Sequence, residues 1–243
     1  LKNINLNICV GEIVGIAGIS GNGQAELLSL LSGENSLKYG RMVLDQIDIS
    51  RFSPGQRRDL GLGFVPEERL GRGAVPNMTL FQNALLTAFR QNLTQWGLIK
   101  FAQCKLFAEH CIEKFGVKAS GPEAEARSLS GGNLQKFIVG REILQNPKFL
   151  IVAQPTWGVD VGASMFIRQT LIDLSRQGVA ILVISEELEE LFEISDRLCV
   201  LANGELSPAI PTHETNTENV GILMSGIPGH DTAIIVEEQQ AHA

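Results

Sequence analysis

The chain lacks the long apolar runs and the abundance of aromatic side chains that mark several large protein classes. Aromatic residues make up 6% of its 243 residues, and its longest apolar runs are 149–153 and 179–184. A membrane-spanning helix requires about 18 or more consecutive apolar residues. These runs therefore do not predict a membrane span.

Basic residues are also scarce. Lys and Arg number 20 against 27 Asp and Glu, which gives a formal net charge of -7. Proteins that bind nucleic acid present a basic face to the phosphate backbone, so this balance argues against nucleic acid as the main partner. Neither a CxxC pair nor a metal-ligand spacing joins the cysteines, which we expect to be reduced thiols in or near the core: Cys9, Cys104, Cys111 and Cys199.

The length and composition of the chain predict one globular domain, with enough residues for a subdomain. A protein of 26.4 kDa is large enough to bury a substantial core. The chain begins at Leu1, directly on an alternating, strand-like pattern. We expect it to be an excised part of a longer protein.

Apolar periodicity predicts an alternation of strands and helices. Strands are predicted at 3–8, 12–17, 41–44, 61–65, 149–153, 179–184 and 197–201. Helices are predicted at 24–31, from Ser53-Pro54 to 59, and at 79–90, 101–115, 130 onward, 163–176 and 187–194. This order predicts an α/β fold with a parallel sheet covered by helices and an inserted helical block. From residue 207 the chain is polar with prolines, which predicts a flexible tail.

The segment from Gly18 to Ala25 has the glycine frame of a phosphate-binding loop, with glycines at 18, 21 and 23 around Asn22. Gln24 stands where the phosphate-binding lysine is expected, and Ala25 where a magnesium-binding Ser or Thr is expected. The backbone N–H groups of 21–24 would still point at a phosphate. The alternative is a strand-to-helix turn that holds no nucleotide.

A second glycine-rich segment, Ser128-Leu129-Ser130-Gly131-Gly132-Asn133, precedes an amphipathic run. Ser130 is suited to cap the helix that starts there, and Gly131 and Gly132 would let a phosphate approach the backbone N–H groups at the positive helix end. The alternative is a capped helix start whose glycines serve packing only.

Over about 1–206, the chain resembles the nucleotide-binding domain of ABC transporters. The resemblance rests on the order of four features: the glycine loop, the helical insert, the LSGGN helix, and an apolar strand that ends in Gln154-Pro155-Thr156. Three segments resemble the second half of the tandem ATP-binding proteins of simple-sugar and nucleoside importers: 15–24, Val65 to Gly73, and Ala153 to Thr156. The last favours the nucleoside branch, the basic-membrane-protein type. The resemblance implies a P-loop NTPase (RecA-like) core at 1–75 and 128–206, a helical subdomain at 76–127 and a tail at 207–243.

The resemblance also implies that the chain's own nucleotide site is close to inactive and has no catalytic residue. The family's strand-end Asp and Glu are replaced by Ala153 and Gln154, its histidine by Ser185-Glu186, and its bridging Gln by Glu67. Loss of a general base alone costs about 10²–10⁴ in rate.

Ser130, Gly131, Gly132 and Asn133, by contrast, match the family's signature, which closes over ATP held by a partner domain. Asp160 matches the D-loop, a segment that reaches across the dimer. The implied cofactors are ATP and Mg²⁺, the latter held mainly by the partner. The implied partners are an N-terminal ABC domain of the same polypeptide, packed head to tail, two transmembrane permease subunits and, indirectly, a substrate-binding protein. The implied location is cytoplasmic, peripheral on the inner face of the cell membrane.

Two other functions are weighed against this one: an inert scaffold that binds no nucleotide, and an unrelated nucleotide enzyme such as a Rossmann dehydrogenase or a soluble P-loop kinase. The glycine order GxxGxG disfavours the dehydrogenase, and neither enzyme class explains LSGGN. An intact GxxxxGK[ST] domain encoded upstream would favour the composite site.

Several other residues have a structural interpretation. Trp157 is expected to be packed or half-exposed, and the glutamates of 186–193 are expected to form a solvated helix face. Phe81, Phe89 and Met78 are expected to be mostly core, with a few insert side chains forming a groove for a membrane subunit. The histidines have no evident partners: His110, His213, His230 and His242.

Overall fold

The computed structural model describes residues 1–225, so His230, His242 and the rest of 226–243 lie outside the described part. The strands are β1 (Ile13–Ala17), β2 (Val43–Leu44), β3 (Ile47–Asp48), β4 (Leu62–Val65), β5 (Thr94–Gln95), β6 (Leu98–Ile99), β7 (Phe149–Ala153), β8 (Ala180–Ser185), β9 (Arg197–Ala202), β10 (Glu205–Leu206) and β11 (Ile210–Pro211). The α-helices are α1 (Gln24–Ser32), α2 (Pro54–Asp59), α3 (Leu80–Ala88), α4 (Phe101–Lys114), α5 (Gly131–Ile143), α6 (Val161–Arg176), α7 (Leu188–Ile194) and α8 (Thr217–Met224).

The centre of the molecule is a seven-stranded sheet with the order β10-β9-β1-β8-β7-β4, in which β11 also pairs with β9. The strands β4, β7, β8, β1 and β9 are parallel, with Val14 opposite Leu182 and Ile151 opposite the same residue on its other side. Every residue of β1, β4 and β8 is buried, because helices cover both faces of the sheet. The prediction of an α/β fold with a parallel sheet is confirmed.

Two apolar clusters lie on opposite faces of this sheet. Ile13 belongs to the cluster that includes the helical insert and α5 to α7, whereas its neighbour Val14 belongs to the cluster under α1 and the β2–β3 hairpin. This alternation follows from the two-residue period of a strand. Because β1, β7 and β8 are parallel, their C-terminal ends lie at the same edge of the sheet, next to the loops that follow them.

Buried charges join the insert to the sheet domain. Glu142, on α5, is fully buried and accepts a hydrogen bond from Arg58 Nη1 at 2.6 Å. Arg141 donates to the carbonyl oxygens of Asn83 and Gly73 at 3.1 and 3.0 Å. Burial by itself would raise the pKa of Glu142, but the charges of Arg58 and Arg141 outweigh burial and hold that pKa below its usual value.

Segment 3–8 forms no strand, and this prediction is wrong. An isolated bridge joins Lys2 to Glu205, but the following residues join no ladder. The alternating residues Ile4, Leu6 and Ile8 instead pack against the cluster under α1. An extended segment that packs on one side alternates apolar and polar residues just as a paired strand does, which explains why the sequence predicted a strand here.

The expectation of a flexible tail from residue 207 is corrected for 207–225. This part forms β11 and α8, and Val220 and Met224 are buried against the core. Thr212 Oγ1 also donates to the carbonyl oxygen of Ser195 at 2.6 Å. Apolar residues at helical spacing hold the segment in place despite its polar composition; the remainder of the predicted tail lies beyond the described residues.

Three two-residue hairpin turns have both central residues at positive φ: Asp45-Gln46, Trp96-Gly97 and Asn203-Gly204. This conformation suits the twist of paired strands. Asn-Gly is a residue pair that favours such a turn, whereas Asp-Gln and Trp-Gly are not typical of it. Within residues 1–225, no helix combines the length and apolar character needed to cross a membrane.

Candidate functional site

The glycine loop connects β1 to α1 and is held in place by hydrogen bonds from another part of the chain. Gly21 and Gly23 have φ of 91° and 114°, values that favour glycine. Asn22 accepts hydrogen bonds from the backbone N–H groups of Gly204, at 3.0 Å, and Asn203, at 3.1 Å. The turn between β9 and β10 therefore holds the loop in a strand-to-helix conformation.

The side chain of Gln24 folds back into this loop. Its Nε2 donates to the carbonyl oxygen of Ile19 at 2.7 Å, and a Cβ placed on Gly18 would lie 2.5 Å from the same nitrogen. Gln24 Oε1 is buried and has no hydrogen-bond partner in the described part of the chain. The amide thus occupies the interior of the loop and brings no positive charge to it.

A cleft of about 140 Å³ opens beside the loop. Its lining includes three carboxylates and, among the described residues, neither Lys nor Arg: Ser20, Gly21, Gly23, Gln24, Ala25, Glu26, Leu28, Glu67, Ala153, Gln154, Ile184 and Glu186. These carboxylates would repel the phosphates of a nucleotide, because like charges repel. The residues of this cleft do not fit a magnesium-bound nucleoside triphosphate, because they supply neither a cation for the phosphates nor the hydroxyl expected at Ala25.

The end of β7 contributes no proton acceptor to the cleft. Ala153 is buried, and Gln154 has a φ of 48°. Gln154 Oε1 accepts a hydrogen bond from the backbone N–H of Glu186 at 3.3 Å and lies 3.3 Å from Ser185 Oγ. A neutral amide in this position ties β7 to β8 and cannot act as a general base.

Glu190 corrects the expectation that all glutamates of 186–193 are solvated. Its side chain is fully buried and accepts a hydrogen bond from Ser185 Oγ at 2.9 Å, with Arg168 Nε 4.0 Å from its other oxygen. Burial raises the pKa of Glu190. Its position beside the buried Leu191 turns it toward the sheet, while Glu189 and Glu193 face solvent.

Ser130 begins the LSGGN helix, α5, as its N-cap. Its Oγ accepts hydrogen bonds from the backbone N–H of Asn133 at 3.4 Å and from Asn133 Nδ2 at 2.8 Å. Asn133 Oδ1 in turn accepts from the backbone N–H of Lys118 at 2.8 Å. Ser130 is exposed and Gly131 is half-buried, so the hydroxyl lies at the surface at the positive end of the helix, whereas Gly132 is buried.

Gly132, the second glycine of this segment, also meets a packing requirement. A Cβ on Gly132 would lie 2.8 Å from Asp160 Oδ2 and 3.0 Å from the Cβ of Ala163. Asp160 caps α6, since its Oδ1 accepts from the backbone N–H of Ala163 at 2.9 Å. The fold thus brings Asp160 directly against the start of α5.

Comparison with known proteins decides the family. The sequence profile described as "ABC transporter" matches residues 1–157, more than half of the chain. The chain belongs to the ABC transporter family.

The relatives of this ABC domain include importers of nucleosides and sugars. It is 40% identical over 227 residues to the nucleoside import ATP-binding protein NupA of Lactococcus lactis, covering 93% of this chain and 45% of that protein. It is 36% identical to the guanosine import ATP-binding protein NupO of Bacillus subtilis (93% and 44%), and 33% identical to the ribose import ATP-binding protein RbsA 1 of Rubrobacter xylanophilus (93% and 46%). The ABC domain therefore spans about half the length of these relatives.

Solved ABC cassettes share the fold. The ABC domain superposes with a TM-score of 0.75 on the dimeric post-hydrolysis cassette MJ0796 bound to ADP and Pi, at 24% identity, with coverage of 87% and 90%. An ATP-binding subunit of another ABC transporter gives 0.76 at 17% identity, with coverage of 93% and 92%. The P-loop NTPase fold expected from the sequence is confirmed, and the family is one that binds ATP with Mg²⁺.

The ABC domain presents the predicted site residues in two separate groups. The first group lines the cleft and consists of Gly21, Gly23, Gln24, Ala25, Glu67, Ala153, Gln154 and Glu186, whereas the loop residues Gly18 and Asn22 do not line it. Residues 130–133 and Asp160 meet at the start of α5, and none of them lines that cleft. Sequence reasoning gave no role to Arg69, whose Nη1 donates to the carbonyl oxygen of Trp157, beside Asp160, at 2.8 Å; a contact between residues 88 apart has no local sequence signal.

Proposed function

We propose that this chain is the second ATP-binding half of a tandem importer protein for nucleosides or simple sugars, with nucleosides favoured. In this function its signature, 130–133, completes the ATP site of a partner ABC domain while its own cleft is inactive. The observation that carries the proposal is the contrast between the accessible Ser130 end of α5 and the acidic, lysine-free cleft.

The start of α5 has the chemistry that a partner's γ-phosphate requires. The first N–H groups of a helix lack intrahelical acceptors and carry partial positive charge. Gly131, which is half-buried, presents no side chain in front of them, and the exposed Ser130 hydroxyl adds a further donor. Donors that are fixed before the reaction stabilise charge as it develops on the transferred phosphoryl group.

The chain's own cleft supports the second part of the proposal. Gln24 replaces the lysine, and Glu26, Glu67 and Glu186 would repel phosphates. Gln154 is held by a hydrogen bond as a neutral amide. We therefore expect little or no ATPase activity from this chain alone, with Mg²⁺ held mainly by the partner domain.

An exposed apolar patch next to the signature is suited to the partner domain. Trp157, Val161 and Met165 follow β7 and begin α6, with 57%, 76% and 63% of their surfaces exposed. They adjoin Asp160, which contacts Gly132. A head-to-tail arrangement with an N-terminal ABC domain of the same polypeptide would cover this patch; coverage of about half of each relative is consistent with that arrangement.

The remaining partners follow from the same proposal. Two transmembrane permease subunits would contact the helical subdomain, 76–127, and a substrate-binding protein would act through them. The core would comprise 1–75 and 128–206, peripheral on the inner face of the membrane. Closure over ATP and release after hydrolysis would then move the helical subdomains, and the permease would follow.

The alternative function is a scaffold that couples to the permease without contacting nucleotide, and the acidic cleft by itself is compatible with it. The ATPase rate of the tandem protein carrying Ser130→Asp distinguishes the composite site from the scaffold. Aspartate caps a helix as well as serine does, but its charge would repel a γ-phosphate. The matched control is Ser53→Asp, the same exchange at the N-cap of α2.

We expect Ser130→Asp to lower the rate by about 10²-fold or more, as does loss of one donor to developing charge, with ATP binding to the partner domain retained. The control should keep its rate. An unchanged rate in Ser130→Asp would replace the composite site with the scaffold.

A further inference from the structure

Arg69 lies between the segment after β4 and the turn that precedes Asp160. Its Nη1 donates to the carbonyl oxygen of Trp157 at 2.8 Å and lies 3.5 Å from that of Gly158. Its guanidinium carbon is 6.0 Å from the centroid of the Trp157 ring. One side chain thus engages both the backbone and the ring of this turn.

The same guanidinium group lies against the start of α5. A Cβ on Gly131 would be 3.6 Å from Arg69 Cζ, and a Cβ on Gly158 would be 3.2 Å from its Nη2. Gly158 also has a φ of 61°. Gly158 therefore leaves space for the guanidinium, which lies between the turn and the signature and is close enough to touch a side chain at 131.

The segment that carries Arg69 is itself closed by backbone hydrogen bonds. Gly73 N–H donates to the carbonyl oxygen of Glu68 at 2.8 Å, and Ala74 N–H to that of Arg69 at 2.7 Å. Glu67, at the cleft, begins this segment. Arg69 therefore links the segment that begins at Glu67 to the turn before Asp160 by direct contacts.

Two contacts then hold this turn against the start of α5. Arg69 binds its carbonyl oxygens, and Asp160 packs against Gly132. Arginine suits this place because its planar group donates several hydrogen bonds and stacks on a ring at once, which lysine does not. Loss of the guanidinium would release the turn and, with it, the close packing at the start of α5.

We infer that Arg69 is a positioning residue: it fixes the D-loop turn, 157–160, against the signature end of α5 and transmits movement of the Glu67 segment to Ser130. The inference rests on the proposed function, because Ser130 is taken to act on ATP held by the partner domain. Arg69 itself touches the turn and the signature, not the reacting atoms.

Arg72 supplies a matched control from the same segment. It pairs with Glu34 and lies over the ring of Phe64, 5.8 Å from its centroid. Among residues 1–225 Arg69 has no carboxylate within salt-bridge distance, whereas the Arg72 contacts lead away from the signature. Removing either arginine removes the same charge, but only one removes the contact with the turn.

The test is steady-state ATPase kinetics of the tandem protein with Arg69→Ala, Arg69→Lys, Arg72→Ala and Ser130→Asp, with hydrogen exchange followed at 130–133 and 157–160. We expect Arg69→Ala to lower kcat about 10- to 100-fold, the cost of a small misplacement at a reacting centre, with KM for ATP within about twofold because the partner's loop binds ATP. Arg69→Lys should recover part of the loss, and Arg72→Ala should match the parent. Exchange should rise in Arg69→Ala at the two named segments only.

Two outcomes overturn the inference separately from the proposed function. If Ser130→Asp abolishes activity while Arg69→Ala keeps its kcat, the composite site stands and Arg69 has no positioning role. If Arg69→Ala raises exchange throughout the chain and lowers kcat to the same extent as Arg69→Lys, its role is general stability. If Ser130→Asp has no effect, the proposed function fails and the inference fails with it.

Discussion

Gln24 Nε2 donates a hydrogen bond of 2.7 Å to the carbonyl oxygen of Ile19, so the side chain at the lysine position of the glycine loop binds the loop itself. Through this bond the Gln24 amide fills the interior of the loop, the space that a phosphate would otherwise occupy. The bond also identifies the first residue to change in a test of the cleft.

Gln24→Lys should strengthen ATP binding to this chain. A charge-assisted hydrogen bond is worth about 1.5–3 kcal/mol, so affinity should rise by about one to two decades. Titration with a fluorescent ATP analogue measures the change. Gln103→Lys, at an exposed position of α4, adds the same charge elsewhere and should leave binding as it is; an equal gain there would mean that net charge, not the loop, governs affinity.

Glu142→Ala should strongly destabilise the fold. It would leave the buried Arg141 and the partly buried Arg58 without their carboxylate, at a cost of about 3–5 kcal/mol. Urea unfolding measures the loss. Glu123→Ala breaks an exposed pair with Lys105 and should cost at most about 1 kcal/mol; similar losses in the two variants would contradict a special role for the buried network.

Stability should depend on pH through Glu190. Burial raises the pKa of Glu190 above its ordinary 4.5, so the folded chain binds this proton more readily than the unfolded chain does. The resulting stabilisation is complete below pH 4.5 and is lost as pH rises through the raised folded-state pKa. Glu190→Gln removes the titration, and its melting temperature should therefore increasingly exceed that of the parent as pH rises above 4.5.

Glu189→Gln, at an exposed neighbour, is the control for this pH series. It should follow the parent at each pH. A constant offset between Glu190→Gln and the parent from pH 4 to 8 would show that the buried carboxyl does not titrate in this range.

One cysteine should react quickly with a thiol reagent at pH 8. Cys9 is exposed, which corrects its expected place in or near the core, while Cys104, Cys111 and Cys199 are buried. Burial raises the pKa of Cys111 to about 12 and that of Cys199 to about 11, which leaves little thiolate. Absorbance titration should give one fast thiol in the native chain, none in Cys9→Ser, and four in denaturant for the parent; a second fast thiol in the native chain would contradict the buried positions.

The sequence predicts the sheet well and the contacts between distant segments poorly. Continuous apolar runs located β7, β8 and β9 within one residue or two, because strands covered on both faces carry a strong local signal. The Ser53-Pro54 and Ser130 helix starts were also predicted correctly, because capping is local chemistry.

Other features needed the tertiary structure. The charge run 186–193 does not reveal that Glu190 alone turns inward. Phe89 was expected in the core, yet it is 37% exposed, because its neighbours on α3 already fill the insert. At the site, the residue types were readable, but the folding of Gln24 into its own loop and the bridge from Arg69 to Trp157 depend on backbone positions that no local pattern encodes.

Under the proposed function, the inactive cleft of this chain has an energetic consequence for transport. A tandem protein that pairs this half with one active ABC domain would have one working site and would hydrolyse a single ATP in each cycle. The steepest concentration gradient that it could sustain would then be set by the free energy of one phosphoanhydride bond, shared between moving the cargo and resetting the permease.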